Sequence, residues 1–288
     1  MVNIYLNIQT KEIFIMKKIL AMVMATVMML AMAGCGQGTK TNDKLAIIDN
    51  NYPSEEYGVA FRKGSDVTEA VNNAMIELAN EGTLETIAAT YGLNDLLLVD
   101  GTNTNASQTE VTLNELDEIK ESGVMKIGYT IMKPLNYTND EGKFVGFETE
   151  FATAVCEKLG VTPEFIEIEW AAKEIELNSK NIDCIWNGMT ITDERMENMS
   201  ITMPYLENRQ VLVVKEENVE KFTKSVDGAV VIAEGGSAGE ELATTDASFA
   251  KAEYTAVASQ ATALMDVAAG TSDVAVIDYV MAGSSINK

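Results

Sequence analysis

Short apolar runs alternate with stretches of helical spacing along most of the chain, and the alternation predicts an α/β fold. Leu45 to Ile48 reads as a buried strand, followed by a turn at Pro53 and a strand-like run from Tyr57 to Arg62. Val67, Val71, Met75 and Leu78 recur every three or four residues, so a helix is expected, opened by a Ser65 cap and closed at Gly82. A second helix, Thr83 to Tyr91, should stop at Gly92. Residues 99 to 110 carry no periodicity and many small polar side chains, the pattern of a linker. Beyond them the rhythm predicts helix 112–122, strand 124–129, helix 148–159, strand 164–168, helix 173–180 and strand 182–186. A helix begins near Thr192, Val211 to Lys215 is a strand, and alternation resumes from 229 to 285. Such a rhythm implies α/β architecture with mostly parallel sheets flanked by helices.

The one long apolar run lies near the start. Lys17 and Lys18 precede Ile19 to Ala33, and Met32-Ala33-Gly34-Cys35 closes it with small residues, which predicts a secretory signal peptide over residues 1–34. Residues 1–15 read as an upstream extension, with translation starting at Met16. The run falls short of the roughly 20 apolar residues a membrane span needs. Residues 35–44 are small and polar, as in a tether.

Charge and composition narrow the chemistry. With 44 acidic against 21 basic residues the net charge is -23, which repels phosphate backbones, so no nucleic-acid partner is expected. There is no histidine, which removes Ser-His-Asp, Cys-His and His-metal chemistry together. No catalytic residue, metal or cofactor is expected. Cys156 and Cys184 sit among apolar neighbours and read as buried free thiols rather than a disulfide.

Several motifs then occur in order. They are Pro134-Leu-Asn-Tyr137, Gly142-Lys-Phe-Val-Gly-Phe147-Glu148, Asn187-Gly-Met-Thr-Ile-Thr-Asp-Glu-Arg195, Tyr205, Leu212-Val-Val214, Glu234-Gly-Gly-Ser-Ala-Gly239 and Asp273-Val-Ala-Val-Ile-Asp278. Together they resemble the polar amino-acid solute-binding proteins of ABC importers over nearly all of residues 112–288. Residues 45–97 resemble that family's last segment yet come first here, so the chain reads as a circular permutant or a rearranged reading frame. Cys35 after Ala-Gly resembles a lipobox cysteine, which takes a lipid. The resemblance implies a type II periplasmic-binding-protein fold: residues 45–56 and 208–288 would form lobe two, residues 57–207 lobe one, with two crossing strands as hinge.

The resemblance also places a site. An amino acid needs a fixed cation, a fixed anion and a shaped wall. Arg195 resembles the arginine that forks onto the α-carboxylate, a task suited to a planar bidentate donor. Asp278, at the carboxyl end of an apolar strand, resembles the acceptor of the α-ammonium, and Asp273 before that strand is the turn-residue control. Gly188, Thr190 and Thr192 line the loop before Arg195, and Thr192 also fits a helix N-cap. Ser237 and Ala238 open a helix after glycines, with Ser237 and Glu240 in capping-box register. Tyr137 and Trp170 are candidates for the wall, and Trp170 fits the core equally well.

The resemblance implies a monomeric extracytoplasmic lipoprotein, anchored to the cell membrane, that captures an amino acid by lobe closure and delivers it to the permease of an ABC importer. Two rivals share the fold: a ligand-sensing domain, and an exported dehydratase-like enzyme using Glu55 or Glu56. Which amino acid is bound is not set by these residues.

Overall fold

In the computed structural model, residues 44–100 and 110–286 are described. The expected signal peptide, Cys35, most of the tether and residues 101–109 of the linker lie outside them. Among the described residues no helix is long and apolar enough to cross a membrane.

Thirteen strands occur among the described residues, most of them in two sheets: β1 (Leu45–Ile48), β2 (Ser54–Tyr57), β3 (Ala60–Arg62), β4 (Val124–Tyr129), β5 (Tyr137–Thr138), β6 (Phe144–Val145), β7 (Thr162–Glu167), β8 (Cys184–Ile185), β9 (Met199–Ile201), β10 (Leu206–Lys215), β11 (Val230–Glu234), β12 (Glu253–Val257) and β13 (Val274–Asp278). Lobe one holds the order β7-β4-β8-β3-β9, and lobe two holds β1-β10-β13-β11-β12 with β2 on the first half of β10. In each sheet only three strands pair in parallel: β7, β4 and β8 in one, β13, β11 and β12 in the other. The remaining pairings are antiparallel, since the chain changes lobes through β2–β3 and β9–β10 and so runs back along the strands it joins. The parallel set is therefore smaller than the sequence rhythm suggests. Strands from the start of the chain, β1 and β2, share a sheet with strands from its second half.

Both sheets are buried on both faces, and the alternation of side chains along β10 shows how. Val211 and Val213 pack with Ala275 and Ile277 on one face, while Leu212 and Val214 pack with Val274, Val276 and Phe222 on the other. In lobe one, Phe61, Met125, Ile127, Phe151 and Trp186 form the larger core, and Ala60, Leu177, Ile185 and Met199 cover the opposite face. Val280 and Met281, from the helix Tyr279–Ile286, enter the lobe-one core and give the lobes an apolar contact.

Local expectations fail where a side chain is used elsewhere. The helix Val67–Asn80 has Asp66, not Ser65, at its N-cap. The Asp66 carboxylate makes no cap bond there, because it accepts the amides of Glu115 and Leu116 at 2.8 and 3.0 Å and so starts the helix Leu116–Ser122. That helix begins four residues later than the spacing suggests, since Thr112 and Leu113 donate their amides to the Gly64 carbonyl. Gly82 and Gly92 end their helices with φ of 72° and 71°, as expected for C′ and C-cap glycines. Cys156 and Cys184 are buried and free, and burial pushes both thiols well up, so they pack as small apolar groups.

Candidate functional site

The carboxyl ends of β11 and β13 face a loop of lobe one, residues 187–192, across a narrow cleft. Its walls include Trp170, Gly188, Thr190 and Arg195 from lobe one and Glu234, Ser237, Ala238, Gln260 and Asp278 from lobe two. The cavity between them is about 10 Å³, room for about one water molecule. Beside it, sharing Thr190 and Ala238, opens a cavity of about 490 Å³ lined by Glu55, Glu56, Glu241, Tyr52, Thr192 and Leu242 among others.

Lobe one supplies the cations. Thr192 caps the short helix Asp193–Asn198 by accepting the amide of Arg195 at 3.2 Å, which settles its cap role and fixes where the arginine leaves the backbone. Arg195 is 9% exposed. Its guanidinium donates to the Thr190 carbonyl at 2.7 Å and across the cleft to the Gly236 carbonyl at 3.3 Å. No carboxylate lies within ion-pair distance of it among the described residues. Burial lowers its proton affinity, against the more distant charges of Glu241, Glu55 and Asp278. Lys173, which sequence reasoning missed, donates to the same Gly236 carbonyl at 2.9 Å and lies 4.9 Å above the Trp170 ring. Burial and the neighbouring Arg195 pull this ammonium down to about 8. Lys173 gave no signal in the sequence because it reads as an ordinary first-turn residue of an amphipathic helix.

The loop that carries these groups is held from behind. Gly188 has φ of 54°, and its amide donates to Glu148 Oε1 at 2.8 Å. Tyr205 donates to the same oxygen, while Glu148 Oε2 has no partner. Burial pushes the Glu148 carboxyl up to about 7.

Lobe two supplies the anions. Asp278 accepts Asn208 at 2.5 Å and Gln210 at 2.8 Å on one oxygen and Gln260 on the other, and its own amide donates to Gln260 at 3.0 Å. Burial raises its carboxyl despite those donors. Glu55, on β2, accepts Thr190, Asn208 and Gln210 at 3.1, 3.2 and 3.0 Å, and burial with the nearby Asp278 raises it too. Ser237 caps the helix Ala238–Thr245 through the Glu240 amide at 3.1 Å, and Glu240 returns to the Gly236 amide at 2.6 Å. The capping box is thus one residue wider than expected. Asp273, the control, ties the start of β13 to β11 by accepting Val230 at 2.9 Å and lies away from the cleft.

Of the expected residues, Gly188, Thr190, Arg195, Trp170, Ser237, Ala238 and Asp278 meet in the cleft, and Thr192 lines the adjoining cavity. Trp170 lines the cleft and also packs in the lobe-one core. Tyr137 does not reach the cleft. It belongs to the β5–β6 hairpin, where Lys133 sits 5.4 Å over its ring, and Met132 takes its place in the wall.

Two lobes on crossing strands, with a buried arginine opposing buried carboxylates across the gap, define a two-lobed ligand-binding protein. The chain matches the family described as bacterial extracellular solute-binding proteins, family 3, over residues 125–279, and it belongs to that family. It is 32% identical over 140 residues to the L-cystine-binding protein TcyJ of Escherichia coli (strain K12), covering 48% of this chain and 51% of that protein. It is 25% identical over 174 residues to a cyclohexadienyl dehydratase of Pseudomonas aeruginosa, covering 59% of this chain and 64% of the enzyme. The chain thus spans about half the length of its cystine-binding relative. The crystal structure of the ancestral amino acid-binding protein AncCDT-1, a precursor of cyclohexadienyl dehydratase, superposes with a TM-score of 0.55 at 29% identity, over 59% of this chain and 77% of that one.

The buried carboxylates set a pH dependence. Glu148 near 7 and Glu234 near 8 bind protons more tightly in the folded state than the ordinary 4.5 of an unfolded glutamate. Their contribution to stability is complete below about pH 4.5 and is lost as pH rises through 7 to 8. Lys173 acts with the opposite sign, but only above about pH 8. The melting temperature of the protein without added ligand should therefore fall between pH 5 and pH 8, and Glu148→Gln should shallow the slope. A melting temperature that is flat or rises over that range contradicts the assignment.

Proposed function

We propose that this chain captures an amino acid in the cleft and delivers it to a membrane importer. The observation that carries the reading is the Arg195 guanidinium, buried at the cleft and held, among the described residues, by two carbonyl oxygens. A ligand carboxylate offers that cation charge-assisted, bidentate bonds that neutral carbonyls do not. Asp278 and its amide partners stand opposite as the acceptor for the α-ammonium. A cavity of about 10 Å³ admits no amino acid, so binding requires the lobes to part and close again on the ligand. Contacts from both lobes then favour the closed form. The family and the cystine-binding relative support an amino acid as ligand.

A second reading has one observation in its favour. Glu55, raised by burial beside Asp278, retains a proton closer to neutrality than an ordinary carboxyl, as a general acid requires. The dehydratase relative keeps that chemistry in view. Recovery of the ligand unchanged from a long incubation supports capture, and its conversion supports the enzyme.

We also read Cys35 as the lipid-bearing residue of the exported protein. Cys35→Ser should release the protein from the membrane fraction of the cells that make it, and undiminished membrane retention would contradict the anchor.

A thermal-shift panel of the twenty amino acids and cystine tests the main proposal. A specific ligand at 100 times its Kd should stabilise the protein by about 2.7 kcal/mol. Arg195→Ala should abolish that shift. An unchanged shift in Arg195→Ala, or no shift with any amino acid, overturns the reading.

A further inference from the structure

Three carboxylates approach the cleft, and they are not equally satisfied. Asp278 has three side-chain amide donors and Glu55 has three donors of its own. Glu234 is different. It ends β11 at the cleft wall beside Gln260 and Asp278, it is 4% exposed, and its Oε1 has no hydrogen-bond partner among the described residues. A buried carboxylate oxygen with no donor is costly, so its retention needs a compensating group. Lys173, whose charge acts on Glu234, does not supply one: its ammonium is bound to the Gly236 carbonyl, and no carboxylate lies within ion-pair distance of it among the described residues.

We propose that Glu234 is a specificity-determining residue, and that the ligand carries a second positively charged group which pairs with its free oxygen. This inference rests on the amino-acid-capture reading above and adds the class of side chain. Arg195 and Asp278 take up the two charges that every amino acid carries, so Glu234 is left to read the remainder of the ligand. The surroundings favour a cation there. The adjoining cavity of about 490 Å³ is lined by Glu55, Glu56 and Glu241 and by no lysine or arginine, so the space next to the cleft carries negative potential and has room for a long side chain. Burial and the charge of Asp278 push the Glu234 carboxyl up to about 8, partly offset by Lys173 and by a hydrogen bond from the Gln260 side chain, which leaves Oε1 unpartnered among the described residues. A cation placed on its oxygen reverses that balance and draws the group into its charged form.

Charge-matched pairs test the inference. Calorimetric titration of the intact protein with arginine against citrulline, and with lysine against norleucine, varies charge at nearly constant shape. The wild-type protein should bind the cationic member of each pair at least tenfold more tightly, the range of a charge-assisted bond to a buried group. Glu234→Gln, which keeps the side-chain shape, should erase most of that ratio while still binding the neutral member. Equal affinity for both members in the wild-type protein overturns the inference without any variant. So does a ratio that survives in Glu234→Gln, or one that is lost in Glu241→Gln instead, which would put the charge in the larger cavity. Binding of neutral amino acids alone defeats only this inference. Failure of every amino acid to bind defeats the proposed function and this inference with it.

Discussion

A guanidinium does not shed its charge at any pH a protein survives, so a buried arginine has to be stabilised where it lies. Arg195 is such a residue, and its two partners are carbonyl oxygens from opposite lobes. Partial charges of this kind hold a cation without neutralising it. The lobes meet here because Gly236 offers its carbonyl to both Arg195 and Lys173. At φ of 74°, a Cβ on Gly236 would lie 3.1 Å from the backbone of Ala171, so this close approach depends on glycine. The rest of the site is arranged around that cation. Thr192 starts its helix, Glu148 fixes the turn at Gly188, and the buried acids of lobe two face it across the gap.

The buried acids give the cleft its character. Asp278, Glu55 and Glu234 are all shifted towards their protonated forms by burial, and the charge of Asp278 raises Glu55 and Glu234 further. Their mutual repulsion is relieved by protons or by cations. A ligand that brings positive charge into the cleft therefore competes with protons for the same oxygens, which links recognition to pH through one set of groups.

How much of this was legible in the sequence differs by level. Strands such as Val124–Tyr129 and Val274–Asp278 announce themselves, because buried parallel strands are continuous apolar runs. Arg195, Asp278 and the Gly188 loop stand out because their motifs match the resembled family in spacing, and they meet in one cleft. The misses share one cause: they depend on contacts between residues far apart in the chain. Asp66 reads as part of a local helix start, yet its carboxylate serves a helix some fifty residues away. Lys173 looks like a solvated helix residue and is a buried interlobe donor. Tyr137 lies close in sequence to the motif that suggested it, but its hairpin turns it away from the cleft. Glu234 stands in the sequence as the first residue of a glycine-rich motif, and nothing local distinguishes an unpartnered buried carboxylate from a solvated one.

The central claim is that Arg195 exchanges two carbonyl partners for a ligand carboxylate held between the lobes. A crystal structure of the protein grown with an amino acid that raises its melting temperature tests this directly. The account predicts the ligand's carboxylate within hydrogen-bond distance of the Arg195 guanidinium and its ammonium towards Asp278, enclosed by both lobes. A ligand bound outside the cleft, with Arg195 still on the carbonyls of Thr190 and Gly236, would contradict it.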